Sequence, residues 1–264
     1  MAVDVDGYTH AGSEESGGYP FGTTYKKVDP SGNTDWVVGD STNERYMWGA
    51  AADADGYTYF AEHDYGVRKY DLSGSLVWSY DPAGFALSVA LDEDGYVYSG
   101  WNSGYLRKSD SSGNEVWSKL ISGRPYVRGV AVDINGYIYV GLGGNNTVEK
   151  RSSVGNEVWS FTGHSDYVWG VAVDADGYVY SCSADNTVRK ISPSGVQEWS
   201  FTGHSGIVYS VAVDPDGYVY SGSADNTVRK ISPSGVQEWS YTEHSDAVWA
   251  VAVDPGAHAA GHGW

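Results

Sequence analysis

Cysteine is nearly absent from this chain: the one thiol is Cys182, so no disulfide can form within the chain. The 25 residues 176–200 recur at 216–240, and the copy carries Gly222 where the first carries Cys182. Since the repeat tolerates either residue, the fold does not need the thiol. We interpret Cys182 as a neutral substitution, with a catalytic thiol as the alternative.

Basic residues are also scarce. Sixteen Lys and Arg stand against 34 Asp and Glu, which gives a net charge of −18. Nucleic acids and anionic membranes recruit basic surfaces, so this charge argues against both as partners. It fits a highly soluble protein, and it is compatible with a halophilic protein adapted to high salt.

Long apolar runs are lacking as well. No stretch approaches the ~18 apolar residues of a transmembrane helix. The opening residues MAVDVDGY have neither the basic nor the apolar region of a secretory signal. We therefore expect no membrane insertion and no standard export signal. Helical periodicity is nearly absent too, so the chain is predicted to be all-β.

What the sequence has in abundance is a repeat of about 40 residues. Its marker is a turn of Asp or Asn, Gly and Tyr, with glycines at Gly7, Gly56, Gly95, Gly136, Gly177 and Gly217. In the unit that begins at Val168, the alternating VWGVAVD predicts a buried strand, and Asp176-Gly177 predicts a hairpin. YVYSCS, TVRKIS and VQEWSFT complete four strands. Such a unit at this period predicts a β-propeller.

The number of repeated parts predicts the number of blades. The tryptophans of the fourth strands are Trp36, Trp78, Trp117, Trp159, Trp199 and Trp239. The N-terminal unit has only a stub of its first strand, whereas a full first strand lies near the C-terminus. We therefore expect a six-bladed propeller over 1–255, with 247–254 completing the first blade, and a tail over 256–264. Seven blades with an incomplete last blade is the alternative, and closure exchanged between chains would give a homo-oligomer.

From about residue 163 onward the sequence resembles WD40 repeats. Gly163-His164, Gly203-His204 and the run VWGVAVDADGYVYSCSADNTVRK match that pattern, although residues 190–192 stand where the family has Trp-Asp. The resemblance implies structural His–Asp pairs, which are His164 with Asp185 and His204 with Asp225. SPSGVQEWSFT instead resembles quinoprotein-like bacterial, archaeal or viral propeller repeats. Such repeats are also similar to modules that decorate the virions of tailed viruses.

Residue types that could carry chemistry recur once per repeat, which is typical of scaffold. Serines lie in repeated turns without a dedicated base, and no cluster has zinc-ligand spacing. We expect neither catalysis nor a cofactor, with a propeller enzyme acting on sugars as an alternative. Asp174 with Asp176, and Asp214 with Asp216, could begin a calcium site. We favour an ordinary hairpin turn, because no third carboxylate follows at a fixed spacing.

The candidates for binding are positions that differ between repeats. Five residues before the aspartate that ends each first strand come Trp48, Leu87, Arg128, Trp169, Tyr209 and Trp249. If the first strands line a central channel, these side chains form a ring at its mouth. The aromatic residues and the arginine (Trp48, Arg128, Trp169, Tyr209, Trp249) could then hold sugars or a protein partner. The alternative is that they pack between blades.

Loops add further candidates. Asp166, Tyr167 and Asp246 would form the rim of that mouth, and segment 12–27 is expected to form a long loop. Its candidate binding residues are Glu14, Glu15, Tyr19 and Phe21. Together these features predict a non-enzymatic binding or structural module of a virion or extracellular assembly, which contacts proteins or host-surface glycans. An intracellular WD40-like interaction scaffold in the cytoplasm is the alternative.

Overall fold

The computed structural model describes residues 2–3, 9–14, 22–28, 31, 33–44, 47–82, 84–123 and 125–253. Every regular element within these ranges is a β-strand, as predicted. The described residues include no helix capable of crossing a bilayer. Glu15, Tyr19, Phe21 and the tail 256–264 lie outside these ranges.

The strands form five complete four-stranded sheets, preceded by a partial N-terminal sheet. The partial sheet contains β1 (Ala2–Val3), β2 (Thr9–Glu14), β3 (Gly22–Val28) and β4 (Thr34–Glu44). The next contains β5 (Met47–Ala52), β6 (Thr58–Glu62), β7 (Gly66–Tyr70) and β8 (Leu76–Tyr80). The third contains β9 (Ala86–Leu91), β10 (Val97–Trp101), β11 (Tyr105–Ser109) and β12 (Glu115–Leu120).

The last three sheets follow the same plan. The fourth contains β13 (Val127–Val132), β14 (Ile138–Leu142), β15 (Val148–Arg151) and β16 (Glu157–Phe161). The fifth contains β17 (Val168–Val173), β18 (Val179–Ser183), β19 (Val188–Ile191) and β20 (Gln197–Phe201). The sixth contains β21 (Val208–Val213), β22 (Val219–Ser223), β23 (Val228–Ile231) and β24 (Gln237–Tyr241).

Neighbouring sheets meet through their first strands. Strand order within each sheet follows the chain, and the paired strands are antiparallel. The first strands β5, β9, β13, β17 and β21 contact one another in that order. Sheets arranged in this way have the architecture of a β-propeller.

The core lies between sheets rather than within any one of them. Tyr98 and Leu106 of the third sheet pack with Val127, Val130 and Ile138 of the fourth, and all five side chains are buried. Each sheet therefore depends on its neighbours for its core, as the units of repeat proteins do.

The Asp-Gly-Tyr turn is held by its first aspartate. After β17, Asp174 Oδ1 accepts a hydrogen bond from the Tyr178 amide, and Oδ2 accepts one from the Tyr180 hydroxyl, both at 2.9 Å. Gly177 has a φ of 81°, which favours glycine. Lys190 Nζ lies 4.3 Å from the centre of the Tyr178 ring. The same aspartate contacts recur at Asp53, Asp92, Asp133 and Asp214.

A tryptophan of the fourth strand joins one sheet to the next. Trp159 Nε1 donates to the Pro193 carbonyl at 2.9 Å, and Trp199 Nε1 donates to the Pro233 carbonyl at 3.0 Å. A Cβ on Gly195 would lie 3.0 Å from Trp159, so the turn needs glycine where the ring packs.

Much of the predicted loop 12–27 lies in strands instead, because residues 12–14 belong to β2 and residues 22–27 belong to β3. Glu14 ends β2 and pairs with Thr23 of β3, so its assignment to an exposed loop was wrong. The sequence GTTYKKV (22–28) is rich in residues that favour strands, and it extends the hairpin on both sides.

The C-terminal segment 247–253 begins like the first strand of another sheet. Val248 N donates to the Ser223 carbonyl at 3.0 Å. A Cβ on Gly222 would lie 2.7 Å from Val248 Cγ1, just as one on Gly141 would lie 2.8 Å from Val168 Cγ1. Val248 therefore packs against β22 as Val168 packs against β14.

The partial sheet already has an inner strand of its own. β1 pairs with Thr9 and His10 of β2, at the edge that 247–254 was expected to fill. Residues 247–253 are in contact with the sixth sheet but belong to no strand. Closure of the ring therefore stays a prediction.

Candidate functional site

The first strand of each complete sheet has a β-bulge at its second residue. In β17, Val168 pairs with Ser183 and Gly170 pairs with Cys182, so Trp169 is the extra residue. The extra residues of the other bulges are Trp48, Leu87, Arg128 and Tyr209. A bulge re-aims the side chain of its extra residue, so strand alternation no longer fixes where these side chains lie.

Four of the predicted ring residues form a continuous line, which we call the aromatic row: Arg128, Trp169, Tyr209 and Trp249. The guanidinium carbon of Arg128 lies 4.0 Å from the centre of the Trp169 ring. Trp169 meets Tyr209 edge-on, with 5.0 Å between ring centres. Tyr209 stacks on Trp249 at 4.1 Å, with 20° between the planes. Each of these contacts is attractive at such distances, so the four side chains support one another.

Exposure is uneven among the predicted ring residues. Trp249 is 59% exposed and Trp48 is 44% exposed, whereas Leu87 is buried. Trp169 and Tyr209 are partly buried, and Trp169 also packs on the core between the fifth and sixth sheets. Leu87 therefore packs between blades, as the alternative interpretation expects, and Trp169 does so in part. The Trp249 end of the row presents an open aromatic face.

Arg128 has no acidic partner within the described part of the chain. The other arginines whose side chains are described each have a carboxylate within ion-pairing distance: Arg68, Arg107, Arg151, Arg189 and Arg229. Two phenol rings flank Arg128 instead, with centres 5.5 Å (Tyr126) and 5.9 Å (Tyr167) from its guanidinium carbon. Burial lowers the pKa of Arg128, and the groups that oppose this are Tyr167 and Tyr126. Arginine nevertheless stays charged at neutral pH.

Two buried nitrogens in the row have no acceptor among the described residues. They are Arg128 Nε and Trp169 Nε1. A buried donor without a partner costs about 1–3 kcal/mol, and an acceptor that reached it would remove that cost.

A glycine gives Arg128 its space. A Cβ on Gly143 would lie 3.1 Å from Arg128 Nε. The equivalent positions of the next two sheets, defined by the same backbone hydrogen bond, are Ala184 and Ala224. Gly143 and Tyr126 were not among the predicted site residues, although Tyr126 precedes Arg128 by the spacing that separates Tyr167 from Trp169.

The two histidines hold matching networks. His164 Nδ1 lies 2.9 Å from Asp185 Oδ2, and His164 Nε2 lies 2.8 Å from Ser181 Oγ. In the tautomer that donates from Nδ1 to the carboxylate, Nε2 accepts a hydrogen bond from the serine hydroxyl. His204 Nδ1 lies 2.9 Å from Asp225 Oδ2 in the next repeat. Both imidazoles are buried, and these contacts fix the loop before each first strand.

Hydrogen bonds to these aspartates outweigh the effect of their burial. Burial alone raises the pKa of an acid, but the Thr227 hydroxyl and the Ser205 amide hold the pKa of Asp225 well below its usual range. Burial likewise opposes ionisation of Asp185, but hydrogen bonds from His164 and Thr187 lower its pKa. Burial lowers the pKa of His204, although Asp225 opposes that shift. In the second network, the charged carboxylate of Asp225 is therefore paired with an imidazole, His204, that is held towards its neutral form.

The predicted rim residues lie on the surface beside the row. Asp166 Oδ1 accepts a hydrogen bond from the Tyr167 amide, and Asp246 Oδ1 accepts one from the Ala247 amide, both at 2.7 Å. Tyr167 is 38% exposed. Their contact with a partner stays a prediction.

The aspartates of the alternative calcium site are engaged within their own turns. Asp174 Oδ1 also accepts from the Asp176 amide, and Asp214 Oδ1 accepts from the Asp216 amide, both at 3.1 Å. In the described ranges, no group of three or more His, Cys, Asp or Glu could hold a metal ion. Cys182 is buried, and burial raises the pKa of its thiol, which disfavours the reactive thiolate.

Antiparallel four-stranded sheets, joined through bulged first strands, define the class: this is a β-propeller repeat protein. The WD40 family model (WD domain, G-beta repeat) matches residues 155–191 and 195–231. The PQQ_2 model, described as outer membrane protein assembly factor BamB, matches residues 23–166, more than half of the chain. The chain belongs to this quinoprotein-like repeat family, with WD40 repeats in its second half. No curated protein matches it.

Proposed function

We propose that this chain is a non-enzymatic binding module whose contact face is the aromatic row. The observation that carries the proposal is the contact between an arginine, a tyrosine and two tryptophans at equivalent positions of successive, otherwise similar repeats. Tryptophan, tyrosine and arginine are the residues that dominate the energetics of binding interfaces. The match to WD40 repeats, which generally mediate protein–protein interaction, supports the same role.

The state of the reactive residue types favours binding over catalysis. The first aspartate of each turn is committed to hydrogen bonds, and the strand-three lysines lie against tyrosine rings. The histidines of the WD40 repeats are buried in structural pairs, and the thiol is buried. A sugar-directed enzyme would need a group that is free to transfer a proton, so we propose no catalytic residue.

We further propose that the propeller has six blades and that 247–254 closes the ring at the partial sheet. Val248 supports this, because it already packs on the sixth sheet as a further first strand would. Trp239 is 43% exposed in the sixth sheet, and residues 29–32 (DPSG) match the turn SPSG that receives Trp199. Closure would allow Trp239 to pack on the turn at 29–32, as Trp199 packs on its own turn, and it would bring Trp249 beside Trp48. The same exchange between two chains would build a homo-oligomer.

The partners we propose are proteins of an assembly or host-surface glycans, with the chain in a virion or outside the cell. The acidic composition and the match to a family named for outer membrane protein assembly support a place in an extracytoplasmic assembly. An intracellular interaction scaffold is the second candidate, which the WD40 match over 155–231 favours.

Arrays of immobilised glycans and synthetic peptides test the binding face. Trp249→Ala removes the exposed end of the row, and Leu72→Ala, at a side chain 54% exposed elsewhere, is the control. We expect at least one ligand whose binding falls about tenfold in Trp249→Ala, because loss of an aromatic residue that contacts the ligand commonly costs more than about 1 kcal/mol. The control should bind as the unchanged chain does. Equal binding by both variants would contradict the assignment of the face.

A further inference from the structure

We infer that the aromatic row recognises a glycan that carries a carboxylate, and that Arg128 binds this carboxylate. The inference rests on the proposed function of the row, and it specifies the chemical class of the ligand.

The first argument is charge. The chain has 34 acidic side chains against 16 basic ones, and the other five arginines with described side chains lie beside carboxylates. Arg128 instead lies among the rings of Tyr126, Tyr167 and Trp169, with no carboxylate of the described residues within ion-pairing distance. A planar guanidinium can donate two parallel hydrogen bonds to one carboxylate. Arg128 therefore offers what a ligand carboxylate requires.

The second argument concerns how much negative charge the ligand can carry. A net charge of −18 repels polyanions over long distances. That field opposes a densely charged chain far more than a single carboxylate on a mostly neutral molecule. The ligand that fits has one acidic group at Arg128 and an uncharged body along the row.

The third argument concerns the shape of that body. The row offers ring faces and edges from Trp169, Tyr209 and Trp249, and the Trp249 face is the most exposed. Aromatic faces are electron-rich and attract the weakly positive C–H faces of a sugar ring. A sugar acid therefore uses both the cation and the rings.

Calorimetric titration of the full chain can separate these contributions. The probes are 3′-sialyllactose and xylotriose carrying one 4-O-methylglucuronate, each compared with its methyl ester, which keeps the sugar and removes the charge. The variants are Arg128→Gln and Arg128→Lys. Lys119→Gln on β12 is the matched control, because it removes the same unit of charge away from the row. Thermal melts would establish that each variant is folded.

We expect at least one acid to bind ten times more tightly than its ester. Arg128→Gln should remove that preference, Arg128→Lys should keep only part of it, and Lys119→Gln should leave it unchanged. Weaker binding of the acid in Arg128→Gln, with unchanged binding of the ester, would assign the carboxylate to Arg128.

Three results would overturn the inference. The first is equal binding of each acid and its ester. The second is an equal loss of binding in Lys119→Gln and in Arg128→Gln. The third is a preference for a peptide acid over its amide that exceeds the preference for every sugar acid over its ester. If neutral ligands bind and Trp249→Ala abolishes that binding, the proposed function stands while the carboxylate assignment fails. If no ligand depends on Trp249 or Arg128, both fail.

Discussion

At the scale of single residues, the net acidic charge does not set the pH dependence of stability, because individual groups have shifted pKa values. Asp185 and Asp225 accept several hydrogen bonds in partly buried places, and their pKa values are depressed. Their contribution to stability is present above the ordinary aspartate pKa of about 4 and is lost as the pH falls. The pKa of His204 is also depressed, so its contribution is present above about pH 6.5 and is likewise lost on acidification.

His204 should therefore make its own contribution to the change of the free energy of unfolding with pH. We expect the unchanged chain to exceed His204→Gln in free energy of unfolding at pH 7, and this excess to shrink as the pH falls below the ordinary histidine pKa of about 6.5. Protonation of surface carboxylates relieves the overall repulsion similarly in both proteins, so their difference isolates the histidine. Urea titrations at several pH values measure it. An excess that grows on acidification would contradict a histidine held towards its neutral form.

At the scale of elements, the contact between neighbouring sheets depends on a tryptophan ring and on a glycine in the turn against which that ring packs. Trp159 donates across the joint to Pro193 and packs on Gly195, whose φ is 86°. Gly136 also has a positive φ, 76°, but a Cβ there would lie 3.7 Å from the nearest atom, in Ser153. The two glycines thus share a left-handed backbone conformation, but only Gly195 lies against a tryptophan ring.

Two alanine substitutions separate these effects. Gly136→Ala should cost about 1–2 kcal/mol, the usual penalty of a side chain in the left-handed region. Gly195→Ala should cost at least about 1 kcal/mol more, because its Cβ also crowds Trp159. Chemical denaturation of both variants measures the free energies of unfolding. Equal losses would mean that the tryptophan joint adjusts freely.

The sequence predicted the turns and strands correctly wherever neighbouring residues determine them. The Asp-Gly-Tyr turns and the four-strand period follow from chain chemistry, and all reappear in the complete sheets. The bulge at Trp169 was not predictable, because its neighbours alternate as a regular strand would. Glu14 was misplaced because a hairpin can extend through polar residues. The isolation of Arg128 depends on the whole fold, since no local pattern tells which carboxylates stay distant.

For the molecule as a whole, the proposed function depends on how the series of sheets ends. A closed ring would make 247–253 an inner strand, bury Trp239, and place the aromatic row at one opening of a disc. An open series would leave the exposed Trp239 and Trp249 available to a second copy. β1 already pairs with β2. In a closed ring the C-terminal segment would meet the same edge of the partial sheet, so closure would require that segment to displace or extend β1.

Native-state hydrogen exchange of residues 247–253 tests closure most directly. It should be measured on the monomer, isolated and checked by light scattering at low and at multimolar salt. Closure within one chain predicts that the amides of this segment exchange within about tenfold of those in β21, since both would lie in paired inner strands of one cooperative structure. Exchange at the rate of an unstructured peptide, in a monomer whose β21 is protected, would contradict the closed ring.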